Sequence, residues 1–350
     1  MQTTKGWIDQ LHHTHTLPPE GYRAILNLDN PYTSNDTKYL HYLAKTVTQK
    51  IFGQKIFVRA LIEITNRCAN NCYYCGIRAS NREVHRYTLT HSEIMESCHE
   101  AYNLGLRTFV LQGGEDPTMS DEWVVELVDK IHTLYPDCAI TLSLGERSAE
   151  LYQRLFDAGA TRYLLRHESH NAELYKALHP SSMSLNKRLK ALDDLKRIGY
   201  QTGTGVMVGA PHQTIDHIVE DIKYIERLRP EMVGIGAFIP HHATPFAEYP
   251  AGSVGMTLKL ISIFRLINPR ALIPATTALA TLSKDGREHG ILSGANVVMP
   301  NFSPQYVRED YALYDNKASF GSESGEGIKL LKKSLASIGY EISFDRGDYQ

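Results

Sequence analysis

From residue 58 onward, short unbroken apolar runs alternate with segments whose apolar positions recur every three or four residues. The runs are VRALIEI (58–64), TFVLQ (108–112), AITLS (139–143), RYLL (162–165), TGTGVMVG (202–209), MVGIG (232–236), ALIPA (271–275) and ANVVM (295–299). Unbroken apolar runs suit strands covered on both faces, and strands alternating with helices pair in parallel through right-handed crossovers. Helix boundaries are marked between them. Thr90 and Glu93 form a capping box for a segment closed by Gly105; another helix starts near Ser120, a third runs from Ser148 to Gly159, and Thr214 caps one after the fifth run. After the fourth run the helical pattern breaks at Pro180 and resumes to Gly199. Eight such units predict an α/β fold of the (β/α)8 TIM type, in preference to an open doubly wound sheet, which needs fewer. Residues 1–53 read as an N-terminal helical cap: Pro18, Pro19 and Pro31 punctuate two helical stretches, the second from about 35 to 52. Residues 54–350 form the barrel, with a last helix near 325–338.

A chain of 350 residues suffices for one large barrel, and 37 Lys and Arg against 39 Asp and Glu leave a net charge of −2. That balance argues against a broad basic surface for nucleic acid. No run approaches the roughly 18 apolar residues that a membrane helix needs. Residues 1–10 show neither a basic start nor an apolar stretch, so a soluble, cytoplasmic protein is expected.

Three of the five cysteines, Cys68, Cys72 and Cys75, sit just past the first strand in RCANNCYYCG. An odd, clustered set is a poor disulfide framework and a good metal site. Three thiolates on one irregular loop can hold three irons of a 4Fe–4S cube and leave the fourth open to a small molecule. Structural zinc would want a fourth Cys or His close by, and the nearest downstream histidine is His85. Cys98, within a helix, and Cys138, before a strand, read as structural.

In a barrel the carboxyl ends of the strands carry the chemistry. There the chain places Gly113-Gly114-Glu115, Ser143, the polar run Arg166-His167-Glu168, and Met207, which reads equally well as a core residue. His241 and His242 follow the sixth strand; they are metal-capable, but no carboxylate partner is evident in sequence, so loop roles are expected. Thr276 and Thr277 follow the seventh and can be read as anion donors or as simple β formers. Tyr311 and Tyr314 can close a pocket or share one face of a helix.

The cysteine loop, with Tyr74 in the aromatic position before its last cysteine, resembles the radical S-adenosylmethionine (SAM) superfamily. The resemblance implies a 4Fe–4S cluster on Cys68, Cys72 and Cys75 whose open iron is chelated by SAM, and reductive cleavage of SAM to a 5′-deoxyadenosyl radical. It further implies that Gly113, Gly114 and Glu115 hold the SAM amino group, Glu168 the ribose and Arg188 the carboxylate, with Met207 beside the adenosine.

The runs LIEITNRCANNCYYCGIR, VLQGGEDP, TLSLGE, RYLLRHE, MVGAPHQT, MVGIGAFIPHHATP, IPATTALATL and GANVVMPN are similar, within the biotin synthase-like branch, to the maturases of iron-iron hydrogenase. That resemblance implies an organometallic substrate, an iron complex carrying cysteine, CO and cyanide, in a cavity lined by Ser143, Arg166, Thr276, Thr277, Tyr311 and Tyr314. It also implies an electron donor such as flavodoxin or ferredoxin, and contact with other maturases. Some members carry an accessory cluster near the carboxyl terminus; with no cysteine after Cys138, it is expected to be absent here. A methylornithine synthase-like mutase acting on an amino acid is the nearest alternative, since it shares the cysteine spacing and a GEDP run. A non-catalytic, metal-stabilised binding scaffold is the remote one.

Overall fold

The computed structural model describes residues 2–28, 34–318 and 324–350; Pro31 lies outside them. The first predicted strand is two elements, β1 (Lys55–Val58) and β2 (Ala60–Thr65), separated at Arg59. They are followed by β3 (Thr108–Gly113), β4 (Ala139–Ser143), β5 (Arg162–Leu164), β6 (Gln201–Val208) and β7 (Met232–Ala237), then β8 (Val297–Val298) and β9 (Glu341–Ser343). Strands β2 to β7 pair in sequence order, every pair parallel.

Two further staves close the ring. Segment 271–275 bridges β7 at Met232–Leu272 and β8 at Pro274–Val297, and Asn301 bridges back to Leu61 on β2. The seventh predicted run makes only isolated bridges because Pro274 has no N–H to donate to a ladder. The last run is a strand for two residues, but its hydrogen bonds continue past them, with Leu61 N on the Pro300 carbonyl at 3.0 Å and Phe302 N on the Leu61 carbonyl at 2.7 Å. The result is an eight-stave barrel.

Helices cover its outside as predicted, and Thr90–Glu93 forms the full capping box. Helices Thr4–Thr14, Pro19–Leu26 and Asn35–Phe52 precede the barrel. They dock on its outer helices through buried Ile8, Leu11, Tyr22, Ile25 and Leu40, with Lys259 Nζ on the Leu26 carbonyl (3.0 Å) and His41 on Ser262 (2.8 Å). The helix Ser324–Ser337 leads into β9, a strand beyond the eight predicted runs, which pairs with β1. Behind it the tail plugs the amino-terminal floor of the barrel, where fully buried Arg162 pairs with Asp348 at 2.7 Å and donates to the Arg346 carbonyl at 2.9 Å. Among the described residues no helix is long and apolar enough to cross a membrane.

Candidate active site at the carboxyl ends of the strands

The cysteine loop leaves the end of β2 and is tied to its neighbours by backbone bonds: Ala69 N to the Glu115 carbonyl (2.9 Å), Tyr73 N to that of Leu178 (3.0 Å), Gly76 N to that of Leu313 (2.9 Å). One guanidinium closes the loop on itself, since Arg86 donates to the carbonyls of Asn66, Ile77, Arg78 and Asn81. Gly114, just past β3, leans directly on this loop. A β-carbon there would run into the Arg67 carbonyl and stand 2.7 Å from Cys68 Cβ, so only glycine allows the approach.

Burial pushes all three thiols up, Cys72 to about 12. The bare loop is therefore protonated at neutral pH, and binding a metal group must release those protons. Three thiols on one irregular loop leave a 4Fe–4S cube one iron without a protein ligand. His85, the nearest downstream histidine, is largely exposed and pairs with Asp310 at 3.0 Å. Cys98 and Cys138 lie buried elsewhere, close to each other. The donor set fits a cluster with three protein ligands.

Around the loop the strand ends converge. Glu168 is nearly buried, adopts φ +63° and accepts from Arg166 at 2.7 Å. Arg166 lies across Gly205, Gly234 and Gly236 of β6 and β7; a β-carbon at Gly236 would stand 3.0 Å from its Nη1. Arg188, a helical residue that in sequence could pass for a solvated charge, is buried, with Nε on Glu146 (2.5 Å) and Nη1 on the Arg166 carbonyl (2.6 Å). Its charge opposes the rise of the Cys72 thiol. Tyr74 is held by His179 at 3.1 Å and packs with Tyr73 against an apolar cluster containing Met207, Leu174, Leu178 and Phe246. Glu115 accepts from Glu146 N at 3.0 Å. Asp116 is structural: it takes hydrogen bonds from Thr65, Thr88 and Thr118.

Beside this group opens a cavity of about 350 Å³. Thr277, Tyr311 and Tyr314 line it, together with Met299, Asn301 and Lys317; Ser143, Arg166 and Thr276 do not. Ser143 stands in register with Gln112, whose amide donates to the Tyr311 hydroxyl at 3.3 Å. The Tyr314 hydroxyl feels the Arg166 charge, and the buried Thr276 hydroxyl has no hydrogen-bond partner among the described residues. Tyr311 and Tyr314 share no helix: they sit on an irregular segment between the 3-10 turn Gln305–Val307 and residue 318.

Sequence reasoning missed the pair that anchors that segment. Glu63, fully buried in β2, accepts from Lys317 Nζ at 2.5 Å and Asn301 Nδ2 at 2.7 Å. A carboxylate in the apolar run ALIEIT is a visible signal; its partner, 254 residues away, is not. The expectation that His241 and His242 lack a carboxylate partner is also corrected, for the fold brings Asp315 to them.

Residues 62–225 match the Radical SAM superfamily. The chain is 41% identical to the [FeFe] hydrogenase maturase subunit HydE of Thermotoga maritima, over 88% of each chain. It is 29% identical to 3-methylornithine synthase of Methanosarcina acetivorans, over 93% of this chain and 90% of that one. Among solved structures it resembles methylornithine synthase (PylB), with a TM-score of 0.83 and 26% identity over 96% of this chain and 97% of that one.

Proposed function

The chain belongs to the HydE family within the radical SAM superfamily, and from that premise we propose that it acts in assembling the active-site cluster of iron-iron hydrogenase, on an iron complex carrying cysteine, CO and cyanide. Cys68, Cys72 and Cys75 hold the 4Fe–4S cluster. When bound, that cluster supplies the electron that splits SAM into methionine and a 5′-deoxyadenosyl radical.

The chain's own residues bind and orient. Gly113, Gly114 and Glu115 present backbone and carboxylate to the SAM amino group, Glu168 accepts from the ribose hydroxyls, and Arg188 faces the carboxylate. Tyr74 and Met207 offer an apolar surface to the adenosine. The observation that carries the substrate reading is the cavity next to the cysteine loop: Tyr311 forms one wall, and two other lining residues, Ala312 and His241, press on Gly76 of that loop. A pocket beside the radical source, half walled off by the segment carrying Tyr311 and Tyr314, limits the access of water to a reactive intermediate. Within the cavity Thr277, Tyr311, Tyr314 and Lys317 supply donors for an anionic complex; Ser143, Arg166 and Thr276 lie outside its lining, and Arg166 acts there through its charge on Tyr314. Cytoplasmic location, a flavodoxin- or ferredoxin-type reductant and contact with other maturases complete the reading.

The test is replacement of Thr276 and Thr277 together by Val. Uncoupled SAM cleavage and cluster content should persist while hydrogenase maturation in a reconstituted assay falls at least tenfold, about 1.4 kcal/mol. Loss of the cluster would show a structural role instead. Consumption of lysine by the wild type would assign the chain to the mutase chemistry.

A further inference from the structure

The loop after β7 carries two adjacent histidines whose rings stack with centroids 4.3 Å apart. Asp315 arrives beside them from the segment that walls the cavity. His242 Nδ1 lies 2.8 Å from Asp315 Oδ1, and His241 Nε2 lies 3.7 Å from the same oxygen. One ligand atom from each of the three residues falls within 4.8 Å of the other two. A transition cation at about 2.1 Å from its ligands holds them roughly 3 to 3.5 Å apart, so little convergence is needed.

The surroundings favour a cation there. Glu83 Oε2 stands 3.1 Å from His242 Nε2 and Asp315 Oδ1 stands 2.8 Å from its Nδ1, so a cation bound at Nδ1 takes the place of the ring proton between that nitrogen and Asp315. This is the carboxylate–imidazole arrangement that orients metal-ligating histidines. The His242 amide holds Asp315 Oδ2 at 2.8 Å, leaving Oδ1 for the ion. Two carboxylates beside two imidazoles draw positive charge to the spot, whether a proton or a metal cation. One bond is lost on binding: the Ala243 amide donates to His241 Nδ1 at 3.1 Å, and ligation through Nε2 moves the ring proton onto Nδ1. Two imidazoles and a carboxylate suit Fe²⁺, Co²⁺, Ni²⁺ or Zn²⁺ over Mg²⁺ or Ca²⁺.

We propose that His241, His242 and Asp315, all on the cavity wall, form a divalent transition-metal site with ligands distinct from the three cysteines, which clasps the loop after β7 to the segment carrying Asp315. It goes beyond the proposed activity and does not depend on it. The test is equilibrium dialysis of the cluster-loaded protein against Co²⁺, read by elemental analysis. The comparison proteins are His242→Ala and Asp315→Asn, with cluster iron and sulfide measured in each. His242 is largely exposed, so its replacement removes no core contact. The wild type should retain Co²⁺ stoichiometrically, with affinity falling at least ~10-fold in either variant and by a smaller factor in Glu83→Gln. Wild-type retention no greater than that of the His242→Ala protein, or equal affinity in all four proteins, would overturn the site. Neither result bears on the cysteine cluster, whose content is read separately.

Discussion

Glu168 sits at the end of β5 with φ +63°, a conformation that side chains bearing a β-carbon rarely adopt, and its carboxylate pairs with Arg166. A strained backbone holding a nearly buried charge at a strand end is the kind of outlier that marks a site. Glu168→Ala should keep full iron and sulfide content and lower SAM affinity by about 10- to 100-fold, the worth of charged hydrogen bonds; unchanged affinity by isothermal titration would remove Glu168 from the SAM pocket. Gly236→Ala tests the trench under Arg166. Its β-carbon would press on the end of a flexible side chain, 3.0 Å from Nη1, so thermal stability should change by no more than about 1 kcal/mol while hydrogenase maturation drops. The cysteines and the run Arg166-His167-Glu168 stand out in sequence because polar or thiol residues directly after an apolar strand are hard to explain by packing; the fold turns His167 into a core residue, fully buried against Thr204 at 2.8 Å. Asp315 and Lys317 do not stand out, because each takes its meaning from a partner that only the fold brings near.

Among the elements, strands with ordinary backbone donors matched their predicted spans closely, and departures came where local chemistry interrupts a ladder. Pro274 reduces one stave to single bridges, and β9, three residues long, carries too little pattern to be seen in sequence. By pairing with β1, β9 delivers the carboxyl-terminal tail, and with it Asp348, to the floor of the barrel. Burial pushes the Asp348 carboxyl up, but the hydrogen bond and charge of Arg162, aided by Arg346, outweigh that and hold it below its ordinary value. A carboxyl depressed in the folded state stabilises above its unfolded pKa, about 4, and loses that contribution as pH falls through the lower folded value. Asp348→Asn should therefore lower stability at pH 7 by about 1 kcal/mol, a figure discounted because the carboxylate is 39% exposed. The gap should close below about pH 4 in denaturant titrations. A gap that is constant with pH would mean that the tail packs on Arg162 without this charge.

For the whole molecule, alternation of apolar runs and capped helices was enough to read a barrel, because parallel strands buried on both faces leave few other arrangements. The barrel then gathers one end of every stave around a single loop of three cysteines. What the alternation could not convey is the closure of the mouth, where the irregular segment carrying Tyr311 and Tyr314 is pinned by Lys317 to the buried Glu63 of β2. Radical SAM chemistry at this end of the barrel is the activity these features converge on. It is tested most directly by anaerobic incubation of the cluster-loaded protein with SAM and dithionite, assaying 5′-deoxyadenosine beside the Cys72→Ala protein. Formation of 5′-deoxyadenosine by the wild type and none by the variant is the predicted result. Equal amounts from both, or a protein that takes up zinc and no iron on the three cysteines, would contradict it.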